Sequence, residues 1–334
     1  MATMKAQAIE RAYRWVVFLA LVSTCLLIVV GAVVRVSGSG LGCAEWPSCE
    51  GGSVVPPLRA DALIEMSHRA SASVVSLFVA ATFFGALIWY RHRPVVLGLA
   101  IAVTALLAVQ IALGAVTVLL ELPEDVVTLH LGTAEAILGG LVLLNLAFVR
   151  PRGAVAIQDV PWYRRDRVFW LGVATAAAIF LVVLSGAYVR GHGAASACGA
   201  DWPLCQGSAL PWSELTAVHL GHRYLVLLVS GLLGWTVIEA RRRGHLPAVG
   251  HAAATLAGLY VLQILVGAAT PWTHLAPAAR AAHLAVATLV WGAAVAFAAV
   301  SWWLAPATVG QHDATEAETR LGTSARALPD APGS

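Results

Sequence analysis

Gly31-Ala32-Val33-Val34-Arg35 returns later in the chain as Gly186-Ala187-Tyr188-Val189-Arg190, and the residues downstream of each copy decide the fold. Cys43-Ala44-Glu45-Trp46-Pro47-Ser48-Cys49 is matched by Cys198-Gly199-Ala200-Asp201-Trp202-Pro203-Leu204-Cys205, and Glu65-Met66-Ser67-His68-Arg69 by His219-Leu220-Gly221-His222-Arg223. Gln110-Ile111-Ala112-Leu113-Gly114 pairs with Gln263-Ile264-Leu265-Val266-Gly267, and His130 with His283. The offset stays between 153 and 156 throughout, so the chain reads as two tandem copies of one unit.

Lipid is the solvent this composition fits. Of 334 residues 59% are hydrophobic and 12% charged, and the mean hydropathy is +0.78. Eight apolar runs are long enough to cross a hydrocarbon core: Trp15–Val36, Met66–Tyr90, Val95–Leu120, Val126–Val149, Phe169–Arg190, Thr216–Ala240, Val249–Thr270 and Ala279–Leu304. The first lacks a small-residue cleavage site and is read as a retained helix. The expected fold is therefore all-α and integral to the membrane, with eight transmembrane helices arranged as two tandem, parallel, pseudo-symmetric four-helix bundles. Residues 1–155 form the first half, 156–305 the second, and 306–334 a polar, disordered cytoplasmic tail, with a basic linker around Arg150–Arg167.

Basic residues set the orientation. Lys5, Arg11, Arg14, Arg91, Arg93, Arg150, Arg152, Arg164, Arg165, Arg167 and Arg241–Arg243 fall on one side of the runs, which is taken as cytoplasmic and holds both termini. The opposite connections carry Arg35, Arg59, Arg69, Arg190, Arg223 and Arg280, offset by Glu45, Glu50, Asp61, Glu65, Glu121, Glu124, Asp125 and Asp201. The net charge of +3 reflects this topology and gives no reason to expect nucleic acid as a partner.

In each copy one histidine lies near the outer start of the second helix (His68, His222) and another near the outer start of the fourth (His130, His283). Four ionisable groups at one membrane depth call for a common explanation. Haem iron supplies it: neutral imidazoles from facing helices fill two axial positions, and the flat macrocycle packs among apolar side chains. Arg69 and Arg223, next to the first ligand of each pair, are placed to meet haem propionates. Interhelical hydrogen bonding is the bland alternative. A zinc or copper site is another, with no obvious third ligand nearby. His92, His245, His251 and His312 are read as solvated, and His192 and His274 as loop residues.

Cys43 with Cys49, and Cys198 with Cys205, lie in outer loops where disulfides persist. So short a loop gains only about 2 kcal/mol from closure, so a bridge there would serve to hold the loop over the site. A redox-active dithiol is the second reading and metal binding a third. Cys25 is read as a small hydrophobe. Glu65 breaks the symmetry, because its counterpart is His219; three residues before His68, it shares that face of the helix and is the candidate for moving protons or positioning water.

Gly-Ser-Gly-Leu-Gly-Cys at 38–43, Trp-Pro-x-Cys at 46–49 and 202–205, Glu-x-x-His-Arg at 65–69 and the single histidines His130 and His283 together resemble the heme A synthase family, over roughly residues 12–305. The resemblance is to the bacterial type with disulfides in both outer loops. It implies an oxidoreductase that converts a ring methyl group of heme O to a formyl group by two hydroxylations, with oxygen from water, giving heme A. It implies that His68 and His130 hold heme O or product with Glu65 catalytic beside them, and that His222 and His283 ligate a resident heme b. The implied partners are heme O synthase, cytochrome c oxidase assembly and a membrane electron acceptor, with a homo-oligomer left open. The implied setting is the bacterial cell membrane, with the heme sites toward its outer face. From residues alone, a diheme cytochrome b that only carries electrons and a haem transport or oxidase assembly factor remain alternatives.

Overall fold

The structure is a computed structural model that describes residues 2–148, 166–242 and 247–303. The centre of the basic linker, Arg243, His245, His312 and the tail 306–334 lie outside the described residues. Within them are eight long helices: α1 Ala2–Ser37, α2 Ala60–Trp89, α3 Pro94–Leu119, α4 Glu124–Leu146, α5 Arg167–Gly191, α6 Glu214–Arg242, α7 Pro247–Trp272 and α8 Pro277–Trp303. Each is long and apolar enough to cross a membrane, and the chain is a multi-pass membrane protein.

Helices α1 and α2 begin well before the apolar runs that announced them. Helical hydrogen bonding is local and continues past the apolar boundary, so hydropathy marks the span and not the helix end. The six residues gained at the start of α2 carry Ala62 and Glu65 beneath the first cysteine loop. Acidic residues fall in the first turns of α2 (Asp61), α4 (Glu124, Asp125) and α6 (Glu214), and Arg35 and Arg190 close α1 and α5, all matching the helix dipole.

In the first half α1 packs on α2 and α4, and α3 on α2 and α4; in the second, α5 packs on α6 and α8, and α7 on α6 and α8. The halves meet where α1 and α4 cover α8, and α4 covers α5. Large apolar side chains such as Leu26, Leu77 and Leu228 are mostly exposed, as lipid-facing residues are. The connections α3–α4 and α7–α8 turn the same way, each through two successive left-handed residues, Glu121-Leu122 and His274-Leu275.

Close helix approach depends on small residues, because lipid gives no hydrophobic force between helices. At the end of the first half remote from the cysteine loop, Tyr13 is 2% exposed, packs on the Tyr90 and Phe148 rings and donates a hydrogen bond to the Thr82 carbonyl. A Cβ on Gly85 would lie 2.7 Å from that ring. Gly85→Ala is expected to cost about 1–3 kcal/mol through overpacking, seen as a lower unfolding temperature in detergent. Gly98→Ala, whose added Cβ meets nothing within 4 Å, should not lower it.

Candidate functional site

The four histidines of the repeat are set by one local device. In each helix hairpin the first helix presents a glycine and the second an imidazole against it. A Cβ on Gly31 would stand 3.2 Å from the His68 ring, on Gly114 3.2 Å from His130, on Gly186 3.3 Å from His222 and on Gly267 2.9 Å from His283. Each ring thus fills space that any other residue would take. All four are half-buried. His130 lies near His68, and His222 near His283. Both glycines and histidines stood in the repeated motifs, but only contact shows that they pair.

Glutamine holds the second ring of each pair. The Gln110 amide lies 3.3 Å from His130 Nε2, and the Gln263 amide 3.2 Å from His283 Nδ1. The first rings differ: Ser185 Oγ sits 2.7 Å from His222 Nδ1, whereas His68 Nδ1 is buried without a partner. Gln110 and Gln263 recur at the same offset, so their signal was present in the sequence.

His222 and His283 line one cavity of about 670 Å³ in the second half, where it meets the first. Its walls are apolar, with Ile179, Val183, Val226 and Leu284 among them, and its rim is basic. Arg35, Arg190 and Arg280 gather there and repel one another, with Glu124 the opposing charge. Arg280 donates to the Val36 carbonyl at 3.0 Å across the seam, and the Nε atoms of Arg190 and Arg280 are buried without a partner. Sequence reading counted these arginines only toward topology, although Arg35 and Arg190 end the repeated pentapeptide. The first half contributes Arg35, Glu124 and Leu131 to this cavity, so the second site is not built from its own half alone. His192 stacks on Tyr188 and lies 3.5 Å from Glu124, a cross-half contact rather than a free loop position.

The cysteine loops cap the same ends of the bundles. Cys43 is bonded to Cys49 and Cys198 to Cys205. The extra residue between the second pair is removed directly after it: Cys49 donates to the Ser53 carbonyl, four residues on, and Cys205 to the Ser208 carbonyl, three residues on, which restores the register. Glu45 accepts from the Gly51 and Gly52 amides and the Ser48 hydroxyl. Those bonds hold its carboxyl below the usual carboxylate range. Asp201 accepts from Gly207 in the second loop.

Arg69 and Arg223 reach up from α2 and α6 into these loops. Arg69 donates to the Cys43, Glu45 and Ser48 carbonyls and pairs with Glu65; Arg223 donates to Asp201, Pro203 and Leu204 carbonyls and meets His219 Nε2 at 3.2 Å. Glu65 is 3% exposed and also accepts from the Cys43 amide at 2.8 Å. His219 Nδ1 stands 2.8 Å from the Ala194 carbonyl. The asymmetric pair therefore does a matched job: an anion accepts from one loop, and an imidazole N–H donates to the other.

Comparisons with known proteins agree with this architecture. The Heme A synthase of Staphylococcus carnosus (strain TM300) is 28% identical over 292 residues, 85% of this chain and 92% of that protein. The Heme A synthase of Symbiobacterium thermophilum is 33% identical over 285 residues, 80% of this chain and 88% of that protein. That of Lysinibacillus sphaericus (strain C3-41) is 26% identical over 290 residues, covering 85% and 93%. The pattern that defines the COX15-CtaA family, described as cytochrome oxidase assembly protein, matches residues 13–295, a span from the buried Tyr13 of α1 into the last turns of α8, and the chain belongs to that family.

Proposed function

We propose that this chain is a heme A synthase, an oxidoreductase that converts a ring methyl group of heme O into a formyl group and so supplies heme A for cytochrome oxidase assembly. The observation that carries the reading is the recurrence of one glycine-backed histidine pair in each half, in a chain aligned with Heme A synthases along most of their length. The first half, 1–155, is the substrate half and the second, 156–305, the electron-transfer half.

The second site suits a resident heme b. Its volume is in the range of cofactor cavities, about 300–1,000 Å³, and its walls are apolar. His222 has Nδ1 engaged by Ser185, so its Nε2 would be the atom to hold iron, and His283, which lines the same cavity, would supply the second ligand. Arg35, Arg190 and Arg280 at the rim match two propionates in charge. Arg223 and Arg69, whose donors are spent largely on loop carbonyls, act mainly as clamps for the loops. A heme b held there would accept and pass on single electrons.

In the first site His68 and His130 would hold heme O, with Glu65 three residues before His68 on α2. Adding the oxygen of one water to the methyl group releases two electrons and two protons and leaves a hydroxymethyl group. A second such step gives the gem-diol, which loses water to become the formyl group. Glu65 is the carboxylate of this chain placed to orient the water or take a proton. Its two oxygens are fixed by Cys43 and Arg69, and a carboxylate so held still has lone pairs to offer. The electrons leave to a membrane acceptor. The histidine-bearing ends face the extracytoplasmic side, both termini the cytoplasm, and heme O synthase is the source of substrate.

Purified protein given heme O is expected to yield a formyl haem, identified by the mass of the extracted haem and its pyridine-haemochrome spectrum. Recovery of unaltered heme O under oxidising conditions would leave only electron carriage or haem transport. Glu65→Gln keeps the side chain's shape but only one of its two acceptor oxygens, and should retain bound haem while product formation falls by about 10²–10⁴-fold; undiminished yield would remove Glu65 from the chemistry. His222→Ala should abolish the b-type spectrum while leaving α-helical content intact by circular dichroism, and an unchanged haem spectrum would overturn that ligand assignment.

A further inference from the structure

Midway along α4 lies a carboxyl group that the proposed reaction does not use. Glu135 is wholly buried, at 0% exposure, in a helix that crosses the membrane. Its Oε1 lies 2.7 Å from Thr288 Oγ1 on α8, and its Oε2 has no partner among the described residues. Glu135 and Thr288 are 153 residues apart, the same offset as His130 and His283, so the two equivalent positions of the repeat meet each other across the seam. Each stands five residues beyond its histidine, about 7.5 Å further along the helix axis. The Trp291 indole donates to the Glu135 main-chain carbonyl at 2.7 Å and pins α4 to α8 at this level.

Thr288 can serve two forms of that carboxyl. Its hydroxyl is also 3.1 Å from the Leu284 carbonyl. With Glu135 ionised, the hydroxyl proton points to Oε1. With Glu135 protonated, the acid O–H donates to Thr288 Oγ1 and the hydroxyl proton turns to Leu284. Few ionisable groups face Glu135. On α1 it is Cys25, which feels it electrostatically, the remaining ionisable residues of that helix lying toward its ends. Helix α3 has none; α5 has Arg167, Tyr188 and Arg190 near its ends; α8 has Arg280 and His283; α4 itself has His130 and, at its start, Glu124 and Asp125. Among the described residues no cation therefore lies at this depth to compensate a carboxylate, and a positive charge lost or gained at the flanking histidine sites is the main variable that acts on it.

Resting on the proposed haem occupancy of the two histidine pairs, we propose that Glu135 is a proton-holding residue shared by the two sites. It binds one proton when an electron reduces ferric iron at a flanking site to ferrous, and returns that proton to water when the electron leaves. Net charge at the seam then stays constant while electrons drawn from the substrate methyl group pass to the membrane acceptor.

The test is potentiometric titration of the haem in the purified, haem-loaded full-length protein at a series of pH values. One proton per electron gives a slope of about 59 mV per pH unit, the value of a tenfold change for a one-electron couple. A slope between zero and that limit is expected, and Glu135→Gln should flatten it with the haem still bound. An equal slope in Glu135→Gln would overturn the inference, leaving Glu135 as seam packing. If Glu135→Gln does not fold, redox-difference infrared spectra of the wild-type protein with and without ¹³C-labelled glutamate decide. A labelled carboxylic C=O band that changes on reduction supports the role, and no such band refutes it. Protein that binds no haem by pyridine-haemochrome analysis overturns the proposed function and this inference with it, whereas haem with a pH-independent potential overturns this inference alone.

Discussion

An imidazole packed against a glycine backbone on the neighbouring helix is the contact on which the rest of this molecule depends. Without a hydrophobic force between helices, a bundle in lipid is held by close packing and polar contacts. Here both meet at four points. Gly31, Gly114, Gly186 and Gly267 let α1, α3, α5 and α7 approach the helices that follow them, and the rings of His68, His130, His222 and His283 fill the gap. A side chain at any of these glycines would press on the ring, so the packing that joins a hairpin also fixes where its imidazole points. The packing of each hairpin and the placement of its imidazole are thus one property.

The loops follow from the same geometry. Arg69 and Arg223 come directly after the first histidine of each pair, on the next position of the helix, and their guanidinium groups gather three or more loop carbonyls. These bonds tie the disulfide-closed loops to α2 and α6 through main-chain carbonyls that the loops' own bonds leave free to accept. Glu65 and His219 complete the anchorage with opposite polarity, because the first loop turns an amide toward the helix and the second a carbonyl. The substitution that looked chemical in sequence is therefore also structural, and a carboxylate held by two donors is better placed to orient a water than a mobile one would be.

How much of this was legible depends on what repeats and what does not. The eight spans, the histidines and the cysteine pairs were readable because each occurs twice at nearly the same offset, and chance does not preserve such an offset over most of a chain. Helix ends were not, since α1 and α2 extend past the apolar boundary into polar sequence that hydropathy cannot assign. The arginines of the cavity rim were seen but not placed: Arg35 belongs to the first copy by sequence and lines the second copy's cavity in space. Contacts across the seam join residues far apart in the chain, and nothing local in the sequence encodes them. Glu135 was overlooked for a related reason. A single carboxylate in an apolar run has no partner within its own helix, and its partner is the threonine that stands at the equivalent place of the other copy.

That last pairing bears on why two copies were joined rather than kept as separate bundles. Burying a carboxyl group in a membrane interior is costly unless it is hydrogen-bonded, and the cost falls further if it can be protonated. Neither α4 nor α8 alone satisfies it. Only the seam does, with Thr288 bonded to the carboxyl and Trp291 to the backbone above it. The seam is also where Arg280 reaches Val36 and where the first half lends Arg35 to the second cavity. Had the copies stayed alike at this level, two carboxyls or two hydroxyls would have met; a carboxyl opposite a hydroxyl gives one acidic group and one adaptable partner. Divergence at one pair of equivalent positions thus turns a packing interface into a place where charge in one half can be felt by the other.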